Sequence, residues 1–213
     1  DVALEETPFA PLTGGWGQTS DGQTYFLVGT AEGLAVIKEN GLALSPLLDT
    51  PNEAVYGLAF DPRHDTLWLS TPSGLYRWHD DALTRLTPQS LPTELSQVVP
   101  GPPIRQSETI WLANHNSIYA LEQTAQGWLA WPQLEDCLDA TLATSTHQVW
   151  AACDGQLKVR QPSGHWVSMT LDEPVEHLAG AVEQDRIWLV SQTGKLFFAQ
   201  DNKVWPIEEP SWV

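Results

Sequence analysis

The sequence predicts an all-β protein, a propeller of five four-stranded blades. Three observations carry that prediction: one apolar unit recurs five times, its spacing is about 40 residues, and apolar residues alternate in short runs broken by turns within each copy. The copies align on YFLVGTAEGLAVI, TLWLSTPSGLYRW, TIWLANHNSIYAL, QVWAACDGQLKVR and RIWLVSQTGKLFF, which puts Leu27, Trp68, Trp111, Trp150 and Trp188 in one column. Successive steps along that column are 41, 43, 39 and 38 residues. A second apolar anchor follows seven residues later at Leu34, Leu75, Ile118 and Leu157, and one residue later still at Leu196.

Each copy reads as a meander of half-buried antiparallel strands. The second copy gives Val55 to Phe60, a DPRHD turn, Thr66 to Ser70, a TPSG turn, Gly74 to Trp78, and then Leu83 to Leu86. The third runs through Val98 to Ile104, Thr109 to Ala113, Ser117 to Leu121 and Trp128 to Trp131. In the fourth the strands are Leu138 to Ala143, Gln148 to Ala152, Leu157 to Arg160 and Trp166 to Met169. The fifth uses Leu178 to Val182, Ile187 to Val190, Leu196 to Phe198 and Lys203 to Ile207. No stretch carries a helical period with caps. The repeats fall at roughly 11–47, 54–87, 96–131, 137–170 and 176–207, making one domain of residues 1–213.

A single four-stranded sheet cannot bury both of its faces, so radial stacking that hides the Trp column between neighbours is the expected solution. Trp68, Trp111, Trp150 and Trp188 are therefore expected between blades, with Trp78, Trp128, Trp166 and Trp205 in the same packing role on third or fourth strands. Trp16 and Trp212 lie outside the column. The segment Ile207 to Val213 looks like the connector Leu171 to Val175, so the chain either closes a five-bladed ring there or leads towards a further strand; a closed ring is favoured because an open one would expose Trp-rich faces.

Charge narrows the partners. Lys and Arg number 10 against 27 Asp and Glu, a formal net charge of −17, so nucleic acid and anionic membrane surfaces meet net repulsion. No apolar run approaches the ~20 residues of a membrane helix, which leaves attachment to a membrane only to flanking segments. The chain opens on Asp1, as a processed chain or a piece of a longer one would.

The unit TLWLSTPSGLYRW, with its counterparts in the third and fifth copies, resembles the propeller repeats of bacterial two-component regulators. Thr71, Gly74, Leu75 and Tyr76 match that pattern in the second copy, and Thr30, Gly33 and Leu34 in the first. The third copy has Ser117 in place of Gly, the fourth has Cys153 and Gln156 at the Thr and Gly positions, and the fifth adds a residue. The resemblance implies an extracytoplasmic, periplasmic sensory propeller that acts on a separate output domain.

Cys137 and Cys153 bear on the same compartment question. A turn at Thr144-Ser145-Thr146 would set Ala143 opposite His147, and that register also sets Cys137 opposite Cys153, within reach of a bridge. Two small buried thiols are the alternative.

No GxSxG, P-loop, GxGxxG or HExxH occurs, and the six histidines lie on turns and strand ends of different repeats without metal-ligand spacing. No cofactor or metal is expected. Asp139 is the one acid expected well inside an innermost strand, and a glycosidase of the kind that uses a pair of funnel carboxylates would need a second. The connectors between repeats, residues 48–54, 88–95, 132–137, 171–177 and 206–210, hold Asp49, Glu53, Glu94, Glu135, Asp136, Asp172, Glu173, Glu176, Glu208 and Glu209, and no Lys or Arg. With His115 in a turn at the same end of the blades, they predict an acidic loop face for a small cationic ligand or a protein with a basic surface. The leading expectation is a non-catalytic sensor or interaction propeller, acting through a face or as a homodimer. A free-standing protein-binding scaffold or accessory subunit is the alternative, and a five-bladed glycoside hydrolase stands third.

Overall fold

The computed structural model describes residues 11–18, 24–37, 53–80, 82–88, 90–102, 109–180 and 185–207. They form five antiparallel meanders. The first contains β1 (Pro11–Gln18), β2 (Thr24–Thr30) and β3 (Gly33–Ile37). Its expected fourth strand falls on residues 38–52, outside the described residues. The second sheet is β4 (Gly57–Asp61), β5 (Thr66–Thr71), β6 (Gly74–His79) and β7 (Ala82–Leu86). The third is β8 (Gln97–Pro100), β9 (Thr109–Ala113), β10 (Ile118–Thr124) and β11 (Gly127–Leu134). The fourth is β12 (Thr141–Thr144), β13 (Val149–Cys153), β14 (Gln156–Arg160) and β15 (Trp166–Ser168). The fifth is β16 (Val175–Gly180), β17 (Ile187–Ser191), β18 (Leu196–Gln200) and β19 (Lys203–Pro206). Strands pair in chain order within each sheet, and no helix occurs among the described residues. This is the five-bladed β-propeller class of fold, built from blade-type sheets.

The second strand of each blade is where the sequence signal and the packing coincide. Every residue of β5 and of β13 is buried, and both faces of β13 meet apolar neighbours, in the third and in the fifth sheet. In the first, second and fourth sheets two-residue turns then reverse the chain, and Gly33 and Gly74 hold φ of 137° and 138° as the first residues of β3 and β6, a region that L side chains rarely adopt.

The chain divides into two compact units, residues 1–98 and 99–213. In the first, Leu27 and Leu34 pack on Val55, Leu58, Leu67 and Leu69 of the next sheet. The second unit has two such layers. Trp111, Ile118 and Ala120 pack on Leu142, Val149 and Ala151. On the far side of that fourth sheet, Ala143, Trp150, Leu157 and Val159 pack on Val175, Leu178, Ile187, Leu189 and Ala199 of the fifth.

Several expectations are corrected. Trp68, Trp111 and Trp150 are 0%, 2% and 0% exposed, but Trp188 is 41% exposed and Trp205 36%, since the face of the fifth sheet that carries them is not the one packed on the fourth. The first strand of the third sheet stops at Pro100, and that of the fourth begins at Thr141 instead of Leu138. The turn after β12 is longer than three residues: Ala143 pairs with Trp150 and Thr144 with Val149, so His147 lies in the turn. Asp139 is accordingly not inside an inner strand; it is exposed, at φ 52°, in the connector before β12.

Candidate functional site

The connectors and the turns between second and third strands meet at one end of each sheet, and backbone hydrogen bonds tie them together. Val55 N donates to Thr30 O at 2.9 Å, Ala140 N to His115 O at 3.2 Å, Val175 N to Gly155 O at 2.8 Å and Gln192 N to Pro174 O at 2.9 Å. Each valine of this set is buried, so the connector is anchored by an apolar side chain and a main-chain bond together.

Two residues before each of those valines stands a glutamate. Glu53 accepts hydrogen bonds from Thr71 Oγ1 at 2.8 Å, from Ser73 N at 3.1 Å and from the Ser73 hydroxyl. Glu173 accepts from Ser191 Oγ at 2.8 Å, from the Thr193 hydroxyl and from the Lys195 ammonium. The offsets of 18 and 20 residues are the same in both sheets, so this is one device used twice: a connector carboxylate clamps the turn of its own blade. Burial pushes the Glu53 carboxyl up, but the Ser73 and Thr71 hydrogen bonds outweigh it and hold the group below its usual range. Lys195 above all, then Thr193 and Ser191, bring Glu173 down from an ordinary 4.5 to about 2.

In the fourth sheet a covalent link takes this place. Cys137 and Cys153 form a disulfide with Cα atoms 4.9 Å apart. Cys137 lies in the connector and not in β12, while Cys153 ends β13, so the bridge joins connector to hairpin and does not cross a paired register. Asp154 Oδ1 accepts from Leu138 N at 2.6 Å beside it.

The remaining connector acids point to solvent. In the second unit Glu135, Asp136, Asp154, Asp172 and Glu176 are exposed, as is His115; Glu94, in the first unit, is exposed as well. Asp136 and Asp154 hold φ of 57° and 55°, so part of the acid enrichment is turn chemistry, aspartate being among the few residues that tolerate the left-handed region. A cleft of about 640 Å³ opens at this end of the fifth sheet, lined among others by Asp172, Glu173, Lys195, Leu196, Phe197 and Ile207. Asp49, Glu208 and Glu209 lie outside the described residues, as does Trp212. The clamps escaped the sequence reading, although their signal is present: Thr-x-Ser and Ser-x-Thr begin 18 residues after Glu53 and Glu173.

No cluster of three or more His, Cys, Asp or Glu able to hold a metal occurs among the described residues. Among the described residues the most buried carboxylate, Asp61, is spent on its own turn, accepting from Arg63 Nε at 2.8 Å, Arg63 Nη2 at 2.7 Å and His64 Nδ1 at 3.0 Å.

No family model matches the chain, and no curated protein matches it. Solved structures do. The extracellular domain of BT4673 from B. thetaiotaomicron, assigned to the hybrid two-component systems, superposes with a TM-score of 0.64 at 16% identity, covering 95% of this chain and 28% of that one. PorZ, a surface component of the type-IX secretion system of Porphyromonas gingivalis, gives 0.60 at 11% identity, covering 89% of this chain and 25% of that one. BBS1N, solved in complex with ARL6DN, gives 0.62 at 11% identity, covering 94% and 67%. The chain thus spans just over a quarter of the BT4673 domain. At these identities the likeness is one of fold alone.

Proposed function

We propose that this chain is a non-catalytic, extracytoplasmic interaction propeller of a signalling protein, and that it engages a basic protein surface through the connector end of its second unit. The observation that carries the reading is the exposed set Glu135, Asp136, Asp154, Asp172 and Glu176, supplied by two connectors and one turn, where Lys195 is already taken up by Glu173. Exposed acids gathered on one end of a body of net charge −17 steer a cationic partner and speed its encounter. The disulfide supports an oxidising compartment, and two of the solved neighbours are an extracellular domain and a bacterial surface component.

The test is zero-length carbodiimide cross-linking of the protein to envelope proteins of its own organism, followed by mapping of the linked carboxylates. Links concentrated on Asp136, Asp172 and Glu176 are expected. Association with the partner so identified should slow in high salt, and also in the Asp136→Asn, Asp172→Asn, Glu176→Gln variant at unchanged thermal stability. Glu173 is left out of that variant because it holds a turn. Links confined to the opposite ends of the sheets, or an on-rate indifferent to salt, would refute the reading.

A further inference from the structure

The connectors of the second, fourth and fifth sheets are each fastened to a hairpin of their own sheet, but by different chemistry. Glu53 and Glu173 do it with hydrogen bonds, which form and break freely. In the fourth sheet the fastening is the covalent bond between Cys137 and Cys153. That connector is also hooked backwards to the third sheet, Cys137 N donating to Asn116 O at 2.8 Å and Ala140 N to His115 O at 3.2 Å. Beside the disulfide, it meets its own hairpin through Asp154: Leu138 N donates to Asp154 Oδ1 at 2.6 Å, and Asp154 N donates to Leu138 O at 3.1 Å. Asp154 is exposed and holds φ 55°, while Asp136 and Asp139, on either side of Cys137, hold 57° and 52°. Solvent competes for both of its bonds, so the covalent link is the firm part of the fastening.

We infer that the Cys137–Cys153 bond is a redox latch on the connector end of the fourth sheet. Oxidised, it holds Glu135, Asp136 and Asp154 in one arrangement; reduced by a protein dithiol, it lets the connector leave the hairpin while the strands stay folded. The strands stay because β13 is packed on the third sheet by one face and on the fifth by the other. Its effect on partner binding rests on the acidic face proposed above, whereas the opening itself does not. In the reduction, the dithiol's thiolate attacks Cys137 Sγ and forms a mixed disulfide as the Sγ–Sγ bond breaks, and Cys153 leaves as a thiolate that takes up a proton. The second thiol, having lost its proton, attacks the dithiol's own sulfur in that mixed disulfide, and Cys137 leaves and is protonated in turn. The cysteine pair gains two electrons and two protons, and the dithiol becomes a disulfide. Cys137 is 1% and Cys153 3% exposed, and Asp154 Oδ2 lies 3.8 Å from Cys153 Sγ. That carboxylate repels an incoming thiolate and disfavours a thiolate on Cys153, so small thiols open the bond slowly and the reduced pair closes it slowly. Each state therefore persists until a catalyst resets it.

Hydrogen exchange of the oxidised and the dithiothreitol-reduced protein, read by mass spectrometry well below the melting temperature, tests the latch without any partner. The amides of residues 137–140 and 154 are expected to lose protection by at least about tenfold, while those of β13 and β14 keep theirs. Cys137→Ala with Cys153→Ala should reproduce the opened pattern without reductant. Asp154→Asn, which keeps an acceptor for Leu138 N, should speed reduction by glutathione at least about threefold. Unchanged protection in both the reduced protein and the double variant, or protection lost across the whole fourth sheet, overturns the inference, as does an Asp154→Asn protein that is reduced no faster. Reduced protein should also associate at least about threefold more slowly with the partner found by cross-linking. An opened connector with an unchanged on-rate for a partner linked to Asp136 overturns the control of binding. A partner linked elsewhere refutes the acidic face, and exchange alone then decides the latch.

Discussion

Trp150 and Trp188 occupy one column of the repeat, yet replacing each by Ala should have unequal consequences. Trp150 is fully buried between the fourth and fifth sheets. A buried Trp removes ~200 Å² from water, about 5 kcal/mol at ~25 cal/mol per Å², and a compact unfolded state trims that by about a quarter. Its indole Nε1 has no hydrogen-bond partner, so truncation also relieves a buried unsatisfied donor worth about 1–3 kcal/mol. The cavity left behind adds back a similar amount. Trp150→Ala should therefore cost about 3–4 kcal/mol, and Trp150→Phe, which keeps a ring and removes the orphaned N–H, less than about 1.5 kcal/mol. Trp188, 41% exposed, should cost about half as much as Trp150 when truncated, ~2 kcal/mol. Urea unfolding followed by far-UV circular dichroism reads the difference: with a slope of about 2 kcal/mol per M, the two midpoints separate by roughly 0.5–1 M. Equal losses at the two positions would falsify the argument that the equivalent faces of the fourth and fifth sheets differ in cover.

The disulfide closes a separation of 16 residues, so Cys137→Ser or reduction should cost about 3 kcal/mol, seen as a lower melting temperature with dithiothreitol; a reductant-insensitive melt contradicts it. Glu173 has a carboxyl depressed from 4.5 to about 2, so its clamp stabilises the fold fully above pH 4.5 and is lost as pH falls through that window; Glu173→Gln should flatten the stability profile there, and an unchanged acid limb rules the clamp out. Gly155 and Gly194 both sit at positive φ, 72° and 82°, but a Cβ on Gly155 would lie 2.8 Å from Pro174 Cβ while one on Gly194 meets nothing within 4 Å. Gly194→Ala should thus cost only the backbone strain, about 1 kcal/mol, and Gly155→Ala at least about 1 kcal/mol more, by the same urea assay.

Much of the fold was legible because it is written as repetition. The Trp column and the anchor seven residues on mark second and third strands whose faces alternate, and Thr109–Ala113 is the strand the pattern predicts. First strands were less legible: they are short and follow connectors with apolar residues of their own, so Leu138 reads as strand although it lies in the connector, 70% exposed. The acidic character of the connectors was visible too, but composition could not separate acids held by a turn from acids free to meet a partner. That distinction depends on whether a hydroxyl 18 or 20 residues away reaches the carboxylate.

The sequence by itself determined the repeat, the all-β class, the place of the tryptophans in each blade and the end of the sheets where acids gather, because all of these follow from local periodicity and counting. Tertiary structure decided the rest. It put Glu53 and Glu173 on their turns, set the register that moves Cys137 out of the strand, and left Trp188 open where Trp150 is closed. Five copies of one pattern carry no mark of which face has a neighbour; burial belongs to the pair of sheets that meet, and a single strand does not encode its partner.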